Sequence, residues 1–192
     1  MKHALFVAIP LLSLPTIASA ADFGIGASFK SDDQAIYAPI SLSSSFRVEP
    51  YFVNVQYTSK NDSYKYSRSI REYGVGLFGK KSAKDNVEIY CGARLARVET
   101  SSRSNYSVDP SDYGNISEKE NQIGYAIAPA LGFEYFIVPK LSVGGEADYV
   151  YRNTDGKDKE VTKGFEGLSG RNQKIESTTT YTETRVMLRY YF

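Results

Sequence analysis

The chain has few of the residues that most often carry cross-links or catalysis. Its 192 residues include one cysteine, one histidine and no tryptophan. Because Cys91 is alone, an intramolecular disulfide is excluded even in an oxidising compartment. His3 lies at the very start, so the rest of the chain has no histidine for a metal site or for proton transfer. The formal net charge is +1, which gives no reason to expect nucleic acid as a partner.

Long apolar runs are also missing, except at the N-terminus. There, Lys2 precedes an apolar stretch at 4–14, and a small-residue motif of the kind cut by signal peptidase follows it. The run is too short for a membrane helix. We therefore predict a cleaved secretory signal peptide at residues 1–20 and a single domain at 21–192. The residues that define the predicted cleavage site are Ala18, Ala20 and Ala21.

The last residues of the chain alternate between two faces. One face is mostly apolar and consists of Thr184, Val186, Leu188, Tyr190 and Phe192. The residues between them include Glu183, Arg185 and Arg189. A period of two indicates a β-strand. A transmembrane barrel turns the apolar face of such a strand toward lipid and the polar face toward the lumen.

Seven earlier segments repeat this alternation, which predicts an all-β fold: an eight-stranded, antiparallel, up-and-down transmembrane β-barrel. The predicted strands lie near 22–30, 34–43, 49–59, 68–80, 86–99, 119–137, 140–153 and 177–192. In the third of these, we expect Tyr51, Val53, Val55 and Tyr57 to face lipid and Phe52 to face the lumen. Pro39 and Pro129 should each mark a bulge or a locally opened pair, since proline cannot donate to the ladder.

The connections between these strands alternate in length. Short breaks lie near 44–48, 81–85 and 138–139, and long loops are predicted near 60–67, 100–118 and 154–176. Short turns on one side and long loops on the other are typical of outer-membrane barrels. With both chain ends on the short-turn side, tyrosines and phenylalanines fall into two girdles, one at each membrane interface.

The interleaved positions place charged residues in the lumen, where they would form a network of paired, hydrogen-bonded groups. We expect Glu146 and Asp148 to pair with Arg185 and Arg189 on the last strand. The full predicted network is Glu72, Arg94, Glu134, Glu146, Asp148, Arg185 and Arg189. Eight strands enclose a space that side chains can fill. One wall of the predicted barrel is thin, because it carries glycine and alanine at 74, 76, 92 and within 124–132. A narrow solute channel is therefore the alternative.

Two stretches resemble a known family, the OmpA/OmpX-type small outer-membrane β-barrels. The segment from Pro129 to Tyr149 is similar to that family's hairpin between strands six and seven, and Tyr190-Tyr191-Phe192 is similar to its C-terminal assembly signal. The resemblance implies an outer-membrane location and contact with outer-membrane lipid and lipopolysaccharide. It also implies a barrel-assembly machinery that reads the signal residues Leu188, Tyr190 and Phe192. A monomer is expected. Met187 departs from the family, which often has glycine there.

The function predicted on this basis is non-enzymatic. The outer-membrane barrel enzymes available for comparison use a histidine, and no catalytic, cofactor or metal residue is predicted here. The predicted loops contain Tyr64, Tyr66, Tyr106, Tyr113 and Phe165 among small polar residues, a composition suited to protein contacts. Binding of a host or cell-surface ligand is therefore one expectation, and a purely structural role in the cell envelope is the other. A soluble lipocalin-like barrel is the rival fold.

Overall fold

The computed structural model describes residues 22–29, 34–107, 115–164 and 167–192. The predicted signal peptide and its cleavage site lie outside these ranges. Within them, no helix is long and apolar enough to cross a membrane. The strands are β1 (Asp22–Phe29), β2 (Gln34–Tyr37), β3 (Ile40–Ser41), β4 (Phe46–Lys60), β5 (Tyr64–Lys84), β6 (Val87–Ser107), β7 (Asn115–Val138), β8 (Leu141–Gly164) and β9 (Gly167–Tyr191).

All of these strands belong to one antiparallel sheet that closes on itself. Each strand from β4 to β9 pairs with the next, and β9 returns to β1 between Phe29↔Val186 and Gly24↔Tyr191. β2 and β3 act as one strand interrupted at Pro39, because both lie between β1 and β4. The ring therefore has eight strands, and the predicted fold class is confirmed.

Both prolines disturb the sheet as expected. The carbonyl of Pro39 accepts a hydrogen bond from the Gly24 N–H at 2.9 Å, outside the regular ladder. At Pro129, the pairing of β7 with β8 is interrupted between Ile127↔Tyr151 and Ala130↔Asp148, and the register is unchanged on either side. Because the register survives, Pro129 opens the pair locally without adding a residue to the strand.

The end of the barrel with the short turns also holds both ends of the described chain. Its turns lie at 42–45, 85–86 and 139–140. The Phe192 N–H donates to the Phe23 carbonyl, and the Tyr191 N–H donates to the carbonyl of Lys140 in the last turn, both at 2.8 Å. In an outer membrane this end faces the periplasm.

The opposite end differs from the sequence prediction. The three long loops were expected to be irregular, but most of their residues continue the strands as hairpins. β8 runs to Gly164 and β9 resumes at Gly167, so the predicted loop at 154–176 is almost entirely paired strand. The prediction was wrong because these segments alternate serine, threonine and charged residues, and both faces lie beyond the bilayer, where no apolar face is needed.

The outward face carries an apolar belt with aromatic residues at both rims. Exposed side chains there include Phe133 and Tyr135 toward the short turns, Ile127 between the rims, and Tyr125 and Tyr151 toward the hairpins. A bilayer requires this sorting, since a lipid-facing arginine or lysine near the midplane costs about 2–4 kcal/mol.

The faces predicted for the third strand are reversed. In β4, Val53 is buried in the lumen and Tyr51 packs against inward-facing residues, whereas Phe52 is outside beside Tyr73, with ring centroids 5.1 Å apart. Val55 packs against the same inner cluster. The error arose because β4 carries apolar residues on both faces, so alternation alone did not distinguish them.

Candidate functional site

The lower lumen, toward the short turns, is closed by a chain of alternating charges. The Arg47 Nη1 lies 2.9 Å from a carboxylate oxygen of Glu134, and Glu134 also binds Arg189. Arg189 in turn lies 2.9 Å from Glu49. The Glu49 carboxylate accepts a second hydrogen bond, from Arg94, at 2.7 Å.

The chain of charges continues upward from Arg94. Its Nε and Nη2 donate to the two carboxylate oxygens of Glu146 at 2.7 and 2.8 Å, a bidentate geometry that fixes both side chains. Arg185 lies 3.7 Å from the same carboxylate and pairs with Asp148. The Arg185 Nη1 also donates to the Tyr37 hydroxyl at 2.8 Å.

Aromatic side chains fill the space between these charges. The Arg47 guanidinium lies 4.4 Å from the ring centroid of Tyr90, and that of Arg94 lies 5.0 Å from the centroid of Phe78. Such stacking satisfies a buried guanidinium on faces where it cannot donate hydrogen bonds. Phe78 and Tyr90 themselves meet edge to face at 5.2 Å.

Burial shows how tightly this level of the lumen is packed. Glu49, Glu134, Phe78 and Met187 have no accessible surface, and Arg189 is 1% exposed. A continuous aqueous path through a barrel would expose the side chains that line it. At this level the described residues leave no water-sized passage.

The structure places all seven residues of the predicted network in the lumen, with partners that partly differ from expectation. Asp148 meets Arg185 as expected, but Arg189 reaches Glu134 and Glu49. Glu72 pairs with Arg152 across the lumen.

Sequence reasoning missed Arg47 and Glu49, because the face assignment of β4 was reversed. The signal was present in the sequence. Both charges have the same parity as Tyr51 and Val53, so an outward face would have placed them in lipid at the end of the belt.

Above the closed level lies a small cavity with a mixed lining and a volume of about 80 Å³. That space can hold about two or three water molecules. Its apolar walls are Ala35, Val53, Val55, Ile70, Ala126, Ala128 and Val150, and its charged residues are Glu72, Arg94, Arg152, Glu183 and Arg185.

Two glycines of the predicted thin wall face aromatic rings from neighbouring strands. Gly74 faces the ring of Tyr51, and a Cβ there would lie 2.3 Å from that ring. Gly132 likewise faces the ring of Tyr90, at 2.4 Å. At these two positions, large aromatic side chains fill the space that a glycine would otherwise leave open. Ala126 and Ala128 differ, since they line the small cavity.

Beyond the membrane, the hairpins form an extracellular sheet, defined here as the parts of β4 to β9 beyond the apolar belt. Three of the predicted loop tyrosines lie in this sheet and contact one another. The ring centroids of Tyr64 and Tyr106 are 4.9 Å apart, and Tyr66 stacks at 6.3 Å from Tyr64. Tyr113 and Phe165 fall outside the residues whose side chains the structure describes.

In the part of the chain that the structure describes, the extracellular sheet is open on one side. β1 pairs with β9 only as far as Phe29↔Val186, whereas β9 continues upward to Gly167. Among the described strands, none pairs with that edge of β9 beyond Val186. We call the stretch from Asn172 to Thr182 the β9 edge.

The direction of the backbone groups along the β9 edge follows from the two terminal hydrogen bonds. Tyr191 donates toward the β8 side and Phe192 toward β1, and the register with β8 has no shift. Even-numbered residues therefore direct both their N–H and C=O away from β8. Along the β9 edge these are Asn172, Lys174, Glu176, Thr178, Thr180 and Thr182.

The predicted assembly-signal residues lie at the periplasmic end of β9. Leu188 and Tyr190 face outward and are 42% and 43% exposed, as lipid-facing residues of a barrel are. Phe192 is exposed and meets Tyr190 edge to face at 5.6 Å. Among the residues that the structure describes, no group of histidine, cysteine, aspartate or glutamate is arranged to hold a metal ion.

No protein-family model matches the chain, and no curated protein does. Several solved structures are similar to the chain. A major outer-membrane protein from Thermus thermophilus is 12% identical, with a TM-score of 0.58 over 91% of this chain and all of that one. CarO2 of Acinetobacter baumannii, 12% identical over 91% of this chain and all of its own, has a TM-score of 0.45. Ail, the attachment invasion locus protein of Yersinia pestis, 9% identical over 89% of this chain and 93% of its own, also has a TM-score of 0.45.

The likeness to the Thermus protein concerns the fold, and it agrees with the apolar belt and the asymmetry of the two barrel ends. The chain has the fold of a small β-barrel protein of the bacterial outer membrane.

Proposed function

We propose that the barrel is a closed, non-enzymatic scaffold that presents its extracellular sheet for interaction with proteins at the cell surface. The observation that carries this proposal is the β9 edge. An edge strand presents a row of unpaired donors and acceptors, and proteins usually shorten, twist or block such edges. A long exposed edge is suited to accept an extended segment of a partner by strand addition.

The local sequence favours strand addition at this edge. Residues 177–182 read Ser-Thr-Thr-Thr-Tyr-Thr and contain neither proline nor lysine, the residues that most often block an edge. Threonine and tyrosine have high strand propensity. A partner's main chain would supply most of the hydrogen bonds, and its side chains would meet the outward threonines and the inward Tyr181.

A proline at Thr178 tests the proposal. Thr178 is an outward position whose N–H points away from β8, so proline there removes a free donor and leaves the β8 ladder intact. We expect cells displaying the Thr178→Pro variant to attach to an epithelial cell layer roughly tenfold less than cells displaying the wild type, since an edge hydrogen bond and the fit of its neighbours are lost. Attached cells are counted after washing.

Thr178→Ala is the matched control. The threonine hydroxyl accepts a hydrogen bond from Asn153 at 3.0 Å, and both variants lose that contact. Only proline also removes the backbone N–H. If alanine reduces attachment as much as proline does, the backbone edge is not the binding element. If neither variant changes attachment, the proposed role of the edge is wrong.

Conductance of the refolded protein in a planar bilayer tests the closed scaffold directly. Because the charges and rings of the lower lumen leave no water-sized passage, we expect no reproducible current steps for the wild type. Regular steps would instead favour the narrow solute channel, and Arg185 and Arg189 would then be the first residues to examine for ion selectivity.

A further inference from the structure

The outer face of the extracellular sheet carries three cations side by side. Arg103 on β6 lies directly opposite Lys119 on β7, and Lys119 lies directly opposite Lys159 on β8. All three are exposed and share the outward parity of the apolar belt below them. We call these three residues the basic row.

The cations of the basic row are not neutralised by the part of the chain that the structure describes. Among the ion pairs formed by described residues, none includes Arg103, Lys119 or Lys159. Other outward cations differ, since Arg97 pairs with Glu99 at 3.1 Å and Lys174 pairs with Glu176. The hydrogen bond between Lys174 and Glu176 raises the pKa of the lysine and lowers that of the glutamate. Like charges directly opposite each other destabilise a sheet, so an anion bound at the basic row would relieve that cost.

The inner face of the same strands has the opposite charge. Glu118 lies opposite Glu160, and Glu120 lies opposite Asp158, at the level where the outer face carries the basic row. A ligand dissolved in the medium could reach either face of the sheet. The anionic leaflet that surrounds the barrel meets only the outer one.

The height of the basic row matches the sugar region of that leaflet. Lys119 lies six residues beyond Tyr125, the aromatic residue at the upper rim of the belt on β7. Six residues span about 20 Å along a strand, or about 15 Å along the membrane normal at a tilt of about 40°. That distance is above the lipid headgroups and within the core sugars of lipopolysaccharide.

We propose that the basic row binds phosphate groups on the core sugars of neighbouring lipopolysaccharide molecules. Such binding would fix the orientation of the extracellular sheet relative to the membrane surface. It would also leave the acidic inner face and the β9 edge directed toward the medium. The proposal does not depend on strand addition at that edge.

Titration of the refolded protein in detergent micelles with fluorescent lipopolysaccharide tests this site. The probe is lipopolysaccharide with a phosphorylated core, at one fixed ionic strength because surface electrostatics are screened by salt. We expect the triple variant Arg103→Gln, Lys119→Gln, Lys159→Gln to bind at least about tenfold more weakly than the wild type, since each cation near an anionic surface contributes to attraction. The single variant Lys119→Gln should fall between the two.

The chain supplies a control with the same change in net charge. Lys81, Lys84 and Lys140 are exposed near the short turns at the periplasmic end, and their replacement by glutamine should leave the affinity within about twofold of the wild type. An equal loss in this control would attribute binding to net charge and overturn the proposal. A gel shift on heating confirms that each variant has folded.

Two further probes distinguish the source of the phosphate. Lipopolysaccharide with a dephosphorylated core should bind the wild type as weakly as the triple variant binds the intact form. Equal affinity for lipid A without a core would place the contact at the headgroups and overturn the proposal. A preference of the wild type for heparin over lipopolysaccharide would assign the basic row to a soluble polyanion instead, and would equally overturn it.

Discussion

Replacing Glu134 with alanine is expected to destabilise the folded barrel by about 3–5 kcal/mol, the range for breaking a buried ion pair on one side. Glu134 has no accessible surface and accepts hydrogen bonds from Arg47, Arg189 and the Tyr191 hydroxyl. The substitution leaves two guanidinium groups buried without their shared carboxylate. Urea unfolding of the refolded protein in detergent, with linear extrapolation to water, measures the loss.

Glu88→Ala is the comparison for this effect. Glu88 is also an inward carboxylate near the periplasmic end, but its side chain is 23% exposed and its partner Lys80 lies at 3.4 Å. Water can solvate Lys80 after the change, so we expect a loss below about 1 kcal/mol. If Glu134→Ala costs no more than Glu88→Ala, water reaches the lower lumen and the closed scaffold is wrong.

The features that the sequence predicted well are those that the bilayer imposes. In β7, β8 and β9, none of the outward-facing positions within the apolar belt carries a charged residue. An arginine at such a position would face lipid, which is energetically unfavourable. Strand number, orientation of the barrel ends and most of the lumen charges follow from that one constraint. For β9, the alternation from Thr184 to Phe192 was sufficient.

The features that the sequence predicted poorly lie where the bilayer imposes nothing. In β4, Tyr51, Val53 and Val55 line the upper lumen, so the strand is apolar on both faces. Only the charges Arg47 and Glu49 near its start indicated which face is inward. In the extracellular sheet, Lys119 and Glu118 alternate outward and inward, but both are charged. The sequence shows only a polar stretch there, and pairing with the neighbouring strands determines which face each charge occupies.

The open edge of β9 is a consequence of unequal strand lengths, and no residue type or motif within β9 indicates it. β1 ends at Phe29 in the described residues, whereas β8 and β9 pair to Gly164 and Gly167. Predicting the edge would have required the lengths of two strands that are distant in sequence but neighbours in the ring. For the same reason, Arg103, Lys119 and Lys159 align only once the register of three strands is known.

Replacing Gly92 with alanine is expected to cost about 2–3 kcal/mol, at the upper end of the usual range for an overpacked core. A Cβ at Gly92 would lie 1.9 Å from the Leu77 carbonyl oxygen and 2.9 Å from the Phe78 Cα, both on the backbone of β5. That backbone is also paired with β4 through Arg47↔Phe78, so it cannot move away without disturbing the ladder on its other side.

Gly79→Ala provides the matched control one rung away, since Gly79 pairs with Cys91 and Phe78 with Gly92. Gly79 is exposed on the outward face, and a Cβ there would meet only the Cys91 carbonyl oxygen at 3.8 Å, an ordinary contact. Removing a glycine from a strand interior should then stabilise the barrel by about 0.5–1 kcal/mol. Urea unfolding of both variants in the same detergent compares the two values. Opposite signs would show that β5 and β6 approach closely on the lumen side, where the rings of Phe78 and Tyr90 fill the barrel. Equal effects would mean that the wall has space at Gly92, and the thin-walled channel would regain support.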